Sequence, residues 1–250
     1  MNVQRGNMRI PAARDVLSYL RLLGWRRSLL RGAYVGANQL VALSILDCFV
    51  LRREDINTAL AKATDGYECR FLAPDETNRF ACQLDSETAR IIPKILACGD
   101  AAYVVLNGEL LVNIGFYAQG PTPILNDLVV HFNPSSWYMY RGYTQLAYRG
   151  RRLHALGILR AAMELFEHQV PQLVTICERT NYPAIISVLR MGWKPCGTLY
   201  RVGIGPWSWL GRTADARGMG MLLQPRQMEP SILVGTTSNP ETLHQEQSNT

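Results

Sequence analysis

The sequence lacks the features that define several large classes of protein. Its six cysteines stand singly, with no C-x-x-C pair and no Cys/His cluster at zinc-ligand spacing, so we expect free thiols and no metal site. No apolar run reaches the roughly 18 residues of a membrane-spanning helix, and we therefore expect no such helix. The arginines near the N-terminus are not followed by the apolar core of a secretory signal. These absences predict a reducing, cytoplasmic location.

Several enzyme signatures are also missing. The chain has no G-x-G-x-x-G of dinucleotide enzymes and no G-x-x-x-x-G-K-[ST] of P-loop NTPases. It also has neither the G-x-S-x-G of α/β-hydrolases nor the H-E-x-x-H of zinc peptidases. The sequence therefore gives no support for these four chemistries.

The composition is that of a folded protein, with 48% hydrophobic and 18% charged residues. The formal net charge is +6, which favours anionic partners such as cofactor phosphates or anionic lipid. The basic residues concentrate in residues 21–31 and 149–152 and do not interleave with aromatic residues over a wide surface. We therefore expect no nucleic-acid partner.

Periodicity divides the chain into three parts. Residues 1–43 contain a tail and an amphipathic helical extension, residues 44–211 form the main domain, and residues 212–250 are expected to be an irregular, disordered tail. The clearest pattern is a β-hairpin over 101–118 that turns at Asn107-Gly108. The other predicted elements are strands at 43–51, 67–72, 128–132, 137–146, 173–177 and 197–202, and helices at 86–97, 153–167 and 181–190. Their order indicates an α+β or α/β fold with a mixed sheet.

The helical pattern of residues 12–42 combines leucines with arginines and Trp25. One interpretation is a surface helix that packs its leucine stripe on the domain. The other is a helix that lies on an anionic membrane surface.

Residues 147–157, Ala-Tyr-Arg-Gly-Arg-Arg-Leu-His-Ala-Leu-Gly, join a predicted strand to a predicted helix. The first N–H groups of a helix lack internal partners and attract anions. Arg149, Arg151 and Arg152 add guanidinium groups that suit phosphate, and Gly150 allows a close approach of the backbone. A solvated basic turn and a phosphate cradle both fit this segment when it is taken alone.

Two blocks together resemble the GNAT superfamily of acyl-CoA-dependent N-acyltransferases. The segment from Tyr148 to His154 is similar to its pyrophosphate loop, x-x-R-G-x-G-x-G/A. Residues 181–193, Asn-Tyr-Pro-Ala-Ile-Ile-Ser-Val-Leu-Arg-Met-Gly-Trp, are similar to its second motif, N-x-x-A-x-x-x-Y-x-x-x-G-F. The resemblance covers residues 66–204 and implies an α+β fold. This fold has a mixed, mainly antiparallel sheet flanked by helices, here with an N-terminal helical extension.

The sequence departs from the family pattern at three positions. Arg152 and His154 stand where the loop usually has small residues, and His154 could hydrogen-bond a phosphate or cap the turn. Val188 stands where the second motif often has a tyrosine that acts as general acid.

The resemblance implies that an amine attacks the thioester of acetyl-CoA or another acyl-CoA directly. It places the cofactor at Thr144, Leu146, Arg149, Gly150, Arg151, Arg152, Leu153, His154, Asn181 and Ala184. Backbone near Thr144 and Leu146 would polarise the thioester carbonyl. Tyr140, Tyr143 and Asp127 are the candidate catalytic groups, and strand alternation predicts that Tyr140 and Tyr143 lie on opposite faces.

The predicted function is transfer of an acetyl or other short acyl group to an amine-bearing acceptor, which is a small molecule, a peptide or a precursor. A CoA-binding module without catalysis is one alternative, since Val188 replaces the usual acid. A second alternative is an acyltransferase that acts on a lipid or cell-wall precursor. It would be peripheral to the inner face of the membrane through residues 12–43.

Overall fold

The computed structural model describes residues 24–61, 66–76, 79–80, 82–84, 86–125, 127–204 and 207–226. Within them, runs rich in β-branched and aromatic residues form strands, as their propensities favour. The strands are β1 (Ala42–Leu51), β2 (Glu68–Phe71), β3 (Ala101–Asn107), β4 (Leu110–Ala118), β5 (Thr122–Leu125), β6 (Leu128–His131), β7 (Trp137–Thr144), β8 (Leu173–Glu178), β9 (Lys194–Ile204), β10 (Trp207–Arg212) and β11 (Leu222–Pro225). The α-helices are α1 (Trp25–Leu40), α2 (Thr58–Ala61), α3 (Ser86–Ala97), α4 (Leu153–Glu167), α5 (Tyr182–Met191) and α6 (Ala214–Gly218), and short 3₁₀ turns cover Arg53–Asp55, Pro74–Glu76 and Leu146–Tyr148.

The strands form two sheets. The large sheet has the order β10-β9-β1-β8-β7-β4-β3-β2, and the small one has the order β11-β6-β5. Strands β7 and β8 are parallel, whereas the other adjacent pairs of the described sheets are antiparallel. A parallel pair needs a long crossover, and α4 provides it.

The large sheet is covered on both faces. On one face, Met139 and Phe49 belong to the same core cluster as Ile158 of α4 and Val188 of α5. We call this the α4 face. On the opposite face, the α3 face, Phe116 packs in a cluster with Ile92 of α3, and Tyr138 packs in a cluster with Leu128 of the small sheet.

The predicted fold class is confirmed, and the regular elements of the domain lie close to their predicted ranges. The hairpin turn is shifted by one residue: Asn107 pairs with Leu110, so Gly108 and Glu109 form the loop, with Gly108 at a φ of 59°. Glycine adopts this left-handed conformation without a Cβ clash. The sequence prediction missed β5 and β10, which are short strands at or near sheet edges.

The prediction of an irregular segment from residue 212 onward is wrong for residues 213–226. This segment forms α6 and β11, and β11 pairs with β6. Ala216, Met221 and Leu223 are buried in the core that joins the two sheets. Their apolar side chains are too few and too irregularly spaced to show a period, yet their burial stabilises the segment. Residues 227–250 lie outside the described residues.

Helix α1 contradicts the interpretation that the leucine stripe packs on the domain, as far as this stripe is described. Trp25, Leu29 and Leu30 are 65%, 67% and 61% exposed. Polar side chains face the protein instead: the Tyr34 hydroxyl donates to the carbonyl of Leu43, and the Arg31 guanidinium donates to that of Thr180. The predicted helical residues 12–23 lie outside the described residues. None of the described helices is both long and apolar enough to cross a membrane.

Candidate functional site

The parallel strands β7 and β8 separate soon after they meet. Their pairing covers Trp137–Met139 with Leu173–Thr175, after which β7 stays paired with β4 and β8 with β1. A cleft of about 670 Å³ opens at this splay. The described residues that line it are Tyr34, Ser44, Leu46, Pro123, Ile124, Tyr138, Met139, Tyr140, Arg141, Gly142, His154, Thr175, Ile176, Cys177, Glu178, Asn181, Pro183, Ala184, Ser187 and Val188.

The cleft crosses the sheet from one face to the other. Residues directly opposite each other on paired strands point to the same face. Leu46 is opposite Glu178, and Tyr138 is opposite Val174, which places these residues on the α3 face. Met139 lies on the α4 face, where residues from α4 and α5 complete the lining. The cleft is therefore lined by residues of both faces of the large sheet.

A β-bulge at Arg141 shapes the β7 side of the cleft. Gly115 pairs with Gly142 and Phe116 pairs with Tyr140, so Arg141 is the extra residue, and its φ is 46°. The extra residue reverses the strand alternation, so Tyr143 packs on the same α3-face cluster as Tyr140. The prediction that these two tyrosines lie on opposite faces is therefore wrong. Sequence alternation cannot reveal a bulge, although the left-handed backbone at Arg141 marks it in the structure.

His154 lies inside the cleft rather than over the exposed turn. A Cβ atom at Gly142 would lie 2.3 Å from the His154 Cε1 atom, so the imidazole fills the space that a side chain at residue 142 would need. Burial lowers the pKa of His154, which makes the ring neutral at neutral pH. It can therefore serve as a hydrogen-bonding group or as a wall of the cleft, but it adds no positive charge.

The segment 149–152 forms an exposed cationic turn before α4. The φ angles of Gly150 and Arg152 are 81° and 62°, so both residues adopt the left-handed conformation in which the family pattern has glycines. The N-cap residue Arg152 makes no side-chain capping bond, and the first turn of α4 has no acidic residue. Its leading N–H groups and three exposed arginines therefore fit an anion.

Neighbouring contacts hold this turn in place. Arg149 Nε donates to the Thr144 carbonyl at 3.3 Å, and the Arg151 guanidinium lies 5.1 Å from the centre of the Tyr148 ring. Leu153 is buried in the core, so only its backbone can contact a ligand.

Thr144 and Leu146 lie between the cleft and the cationic turn. The Thr144 hydroxyl accepts from the buried amide of Asn113 at 2.8 Å, while Leu146 is 76% exposed. Neither residue lines the cleft. Arg141 and Gly142 of β7 do line the cleft, which makes this bulge a further candidate position for oxyanion donors.

Helix α5 forms the β8 side of the cleft on the α4 face. The Asn181 side chain caps the helix by accepting from the Ala184 N–H at 3.4 Å, and Asn181, Ala184 and Val188 all line the cleft. The left-handed Gly192 ends the helix, where a Cβ would lie 1.8 Å from the Asp55 carbonyl oxygen. Val188 is buried, and it presents only methyl groups where the family pattern often has a phenol.

Tyr140 lines the cleft, but its hydroxyl is already engaged. It donates a short hydrogen bond to Asp100 and stacks on Tyr138 with ring centres 5.7 Å apart. Burial and the Asp100 carboxylate raise the pKa of Tyr140, so the phenol stays neutral. Burial also raises the pKa of Asp100, although the Tyr140 bond opposes this shift.

Asp127 lies outside the cleft. It precedes β6 in the small sheet, and its carboxylate pairs with both terminal nitrogens of the Arg201 guanidinium, at N–O distances of 2.8 and 2.7 Å. It is absent from the described lining of the cleft. A carboxylate committed to this ion pair is a structural group, so the geometry gives no support to its predicted role as a base.

Two lining residues that carry an acidic carboxyl or phenol hydroxyl group, Glu178 and Tyr34, were missed from the sequence. Glu178 ends β8 and is the only carboxylate among the described residues that line the cleft, and one of its oxygens accepts from the Thr180 hydroxyl at 2.9 Å. Tyr34 reaches the cleft from α1, and burial followed by the Glu178 carboxylate raises its pKa. Glu178 directly follows the strand predicted at 173–177, which was a usable signal, whereas nothing in the sequence pairs Tyr34 with the domain.

The comparisons with known proteins give fold likenesses of low identity. No protein-family model and no curated protein matches the sequence. A GCN5-related N-acetyltransferase from Kribbella flavida is similar at 15% identity and a TM-score of 0.42, over 70% of this chain and 64% of that chain. A GCN5-related N-acetyltransferase-like protein from Streptococcus suis 89/1591 is similar at 8% identity and a TM-score of 0.45, over 77% and 76%. A tandem GNAT protein from the clavulanic acid biosynthesis pathway is similar at 16% identity and a TM-score of 0.45, over 73% and 58%.

This chain spans only 57–65% of the length of three of the solved structures to which it is similar. At such identities and TM-scores these likenesses carry no functional inference. The fold that the sequence motifs implied is nevertheless present in the topology itself. A hairpin leads to a strand that splays from its parallel neighbour, and a helix crosses between the two.

Proposed function

We propose that the protein is an acyl-CoA-dependent N-acyltransferase. The observation that most directly supports this proposal is the splay of β7 from β8, which opens a cleft beside the cationic N-terminus of α4. The 149–152 turn would hold the pyrophosphate, and Thr144, Leu146, Asn181 and Ala184 would hold the pantetheine arm. The acyl-CoA supplies an activated carbonyl with a tolerable thiolate leaving group.

The two faces of the sheet suggest separate entries for the two substrates. The acyl donor would enter from the α4 face, and the amine from the α3 face, where Tyr138, Tyr140, Leu46 and Glu178 form the wall. The nitrogen lone pair attacks the carbonyl carbon, the carbon–sulfur bond breaks, and the sulfur leaves with the bonding pair. The N–H groups of the Arg141 bulge are the proposed oxyanion donors, and Glu178 is the proposed acceptor of the amine proton.

Calorimetry with CoA and a thiol-release assay with acetyl-CoA and a panel of amines test this proposal. We expect the wild type to bind CoA and the double variant Arg149→Ala/Arg152→Ala to bind at least about 100-fold more weakly, since each of the two charge-assisted bonds contributes about 1.5–3 kcal/mol. The matched control is Arg190→Ala/Arg217→Ala, which removes two exposed arginines outside this turn. Failure of the wild type to bind CoA would refute the cofactor assignment.

A CoA-binding module without catalysis is the second candidate, and the buried Val188 favours it because the expected acid is missing. The two candidates differ in turnover. CoA binding with no release of thiol from acetyl-CoA by any amine in the panel would select the binding module, and turnover would reject it.

A cytoplasmic location is part of the proposal, because acyl-CoA is a cytoplasmic metabolite and all six cysteines are free thiols. The proposed acceptor remains an amine, on a small molecule, a peptide or a precursor. The single carboxylate of the described lining, Glu178, supports a cationic acceptor.

A further inference from the structure

Helix α1 presents its faces in the opposite way to an ordinary surface helix. Residues at helical spacing on its outer side, Trp25, Leu29 and Ala33, are exposed, and Leu30 lies beside them. The side that contacts the domain carries polar groups, since Tyr34 bonds to the backbone of β1 and Asn38 accepts from the Leu43 N–H at 2.9 Å. An amphipathic helix normally buries its apolar stripe, so an exposed outer stripe of this kind is suited to contact with a partner.

The charge of α1 restricts what that partner can be. The helix contains three arginines and no acidic residue. Arg26 and Arg27 are exposed, with Arg26 5.4 Å from the Trp25 ring centre and Arg27 5.4 Å from the Tyr182 ring centre. The Arg26 guanidinium beside exposed tryptophan and leucine, on a helix without acidic residues, is complementary to the headgroup region of an anionic bilayer. That region takes cations at the phosphates and apolar side chains below them.

A second exposed aromatic group begins beside the end of α1. The chain passes from Leu40 into β1, where Ala42 lies opposite Gly203. In the adjacent β9–β10 hairpin, Trp207 is 70% exposed and Trp209 is 59% exposed. Tryptophan is enriched where one end of a side chain is in apolar surroundings and the other is hydrated, as in the interfacial zone of a membrane.

From this geometry we infer that the outer side of α1 is a docking surface for an anionic lipid bilayer. The helix lies flat on the headgroups with Trp25, Leu29 and Leu30 inserted and Arg26 at the phosphates, while Arg27 lies against Tyr182 on the side of the domain. Tyr34 on the inner side of the same helix lines the cleft, so docking also brings the cleft next to the lipid surface. The docking itself does not depend on the proposed acyl transfer.

Co-sedimentation of the full chain tests this surface, with vesicles of phosphatidylcholine alone and vesicles mixed with phosphatidylglycerol. We expect the wild type to sediment with the anionic vesicles and added salt to release it, because salt screens the arginines. Trp25→Ser/Leu29→Ser/Leu30→Ser should weaken the partition at least about 10-fold through lost apolar insertion. Arg26→Gln should weaken it about fivefold, from roughly 1 kcal/mol for the one arginine on the outer side.

Matched controls remove the same chemistry elsewhere. Leu110→Ser/Leu189→Ser removes exposed leucines away from α1, and Arg190→Gln/Arg217→Gln removes two exposed charges. Both controls should sediment within about twofold of the wild type, since single exposed side chains outside the docking surface have little effect.

Three outcomes would overturn the inference: no sedimentation of the wild type, equal losses in the control and α1 variants, or a dimer in light scattering that only the α1 variants dissociate. The last outcome would assign this face to a second copy of the chain. Thermal melts and calorimetry with CoA on every variant separate docking from folding and from the proposed cofactor site. A docking defect with unchanged CoA affinity supports the surface alone.

Discussion

At the scale of single residues, the contact between Gly142 and His154 fixes the shape of the cleft. A methyl group at residue 142 would overlap the imidazole at 2.3 Å. We expect Gly142→Ala to lower the free energy of unfolding by about 2 kcal/mol, because the added methyl group must displace the His154 ring from its packed position. Chemical denaturation measures this loss.

The matched variant is Gly142→Ala/His154→Ala, in which the clashing ring is removed. Its loss of unfolding free energy should be smaller than the sum of the losses in the two single variants by at least about 1 kcal/mol, as expected for residues in direct contact. Strictly additive effects would show that the imidazole does not occupy the space above Gly142.

The bond between Tyr140 and Asp100 predicts a pH-dependent effect. Tyr140→Phe removes a bond that lowers the pKa of Asp100, so the carboxyl pKa, already raised by burial, rises further. A carboxyl whose folded pKa is raised favours the folded state at low pH, and this contribution is lost as pH rises through the folded pKa. The free energy of unfolding of the variant should therefore be about 1–2 kcal/mol lower than that of the wild type at neutral pH, because the Asp100 carboxylate has lost the hydrogen bond from the Tyr140 hydroxyl.

Urea denaturation of Tyr140→Phe and wild type over a pH series measures this difference. The deficit should shrink as the pH falls and Asp100 becomes protonated in both proteins. Asp100→Asn in the Tyr140→Phe background should make the remaining deficit independent of pH. If the difference in unfolding free energy between Tyr140→Phe and the wild type does not change as the pH falls, the assigned role of the carboxylate is wrong.

At the scale of elements, the turn before α4 combines strain with charge. Arg152 occupies the left-handed region with a φ of 62°, a conformation that costs a residue with a Cβ roughly 1 kcal/mol or more. Arg152→Gly should therefore raise stability by up to about 1 kcal/mol while it weakens CoA binding through the lost guanidinium. Thermal melts and calorimetry measure these opposite changes.

Arg151→Gly is the control, because Arg151 carries the same charge and is not among the residues of positive φ. This change should lower stability, since glycine adds freedom to the unfolded chain without relieving strain. If both variants change stability in the same direction, the strain at Arg152 is not what distinguishes them.

The elements with strong periodicity were the predictable part of the fold. The α4 range was predicted to the residue, and the central strands to within a few residues, because their apolar patterns are long. The bulge at Arg141 and the pairing of β11 were not predictable, since each depends on tertiary contacts that leave no period in the sequence. Tertiary contacts also decide which candidate residues meet: Tyr140, His154, Asn181 and Ala184 line the cleft, whereas Asp127 pairs with Arg201 in the small sheet.

At the scale of the whole molecule, the C-terminal limit of the folded unit can be tested by truncation. A chain that ends after Arg212 loses the buried side chains of Met221 and Leu223, and it leaves β6 without one partner. We expect a loss of about 3–6 kcal/mol from the buried apolar surface, and a melting temperature lower by roughly 10 °C or more.

The matched control for this truncation is a chain that ends after Arg226, which retains β11 in full. Its melting temperature should stay near that of the full chain. Equal stability of the two truncated chains would mean that the small sheet contributes little to the fold.

A cleft lined from both faces of the large sheet, with the two separate entries proposed above, also has a consequence for the order of events during turnover. Two substrates that arrive through opposite openings do not have to pass each other, so neither needs to leave before the other can enter. Under the proposed reaction, initial-rate lines for varied donor at fixed acceptor concentrations would intersect rather than run parallel. Each product would leave by the opening through which its precursor entered. A dead-end analogue of the acceptor would compete with the acceptor without displacing the donor.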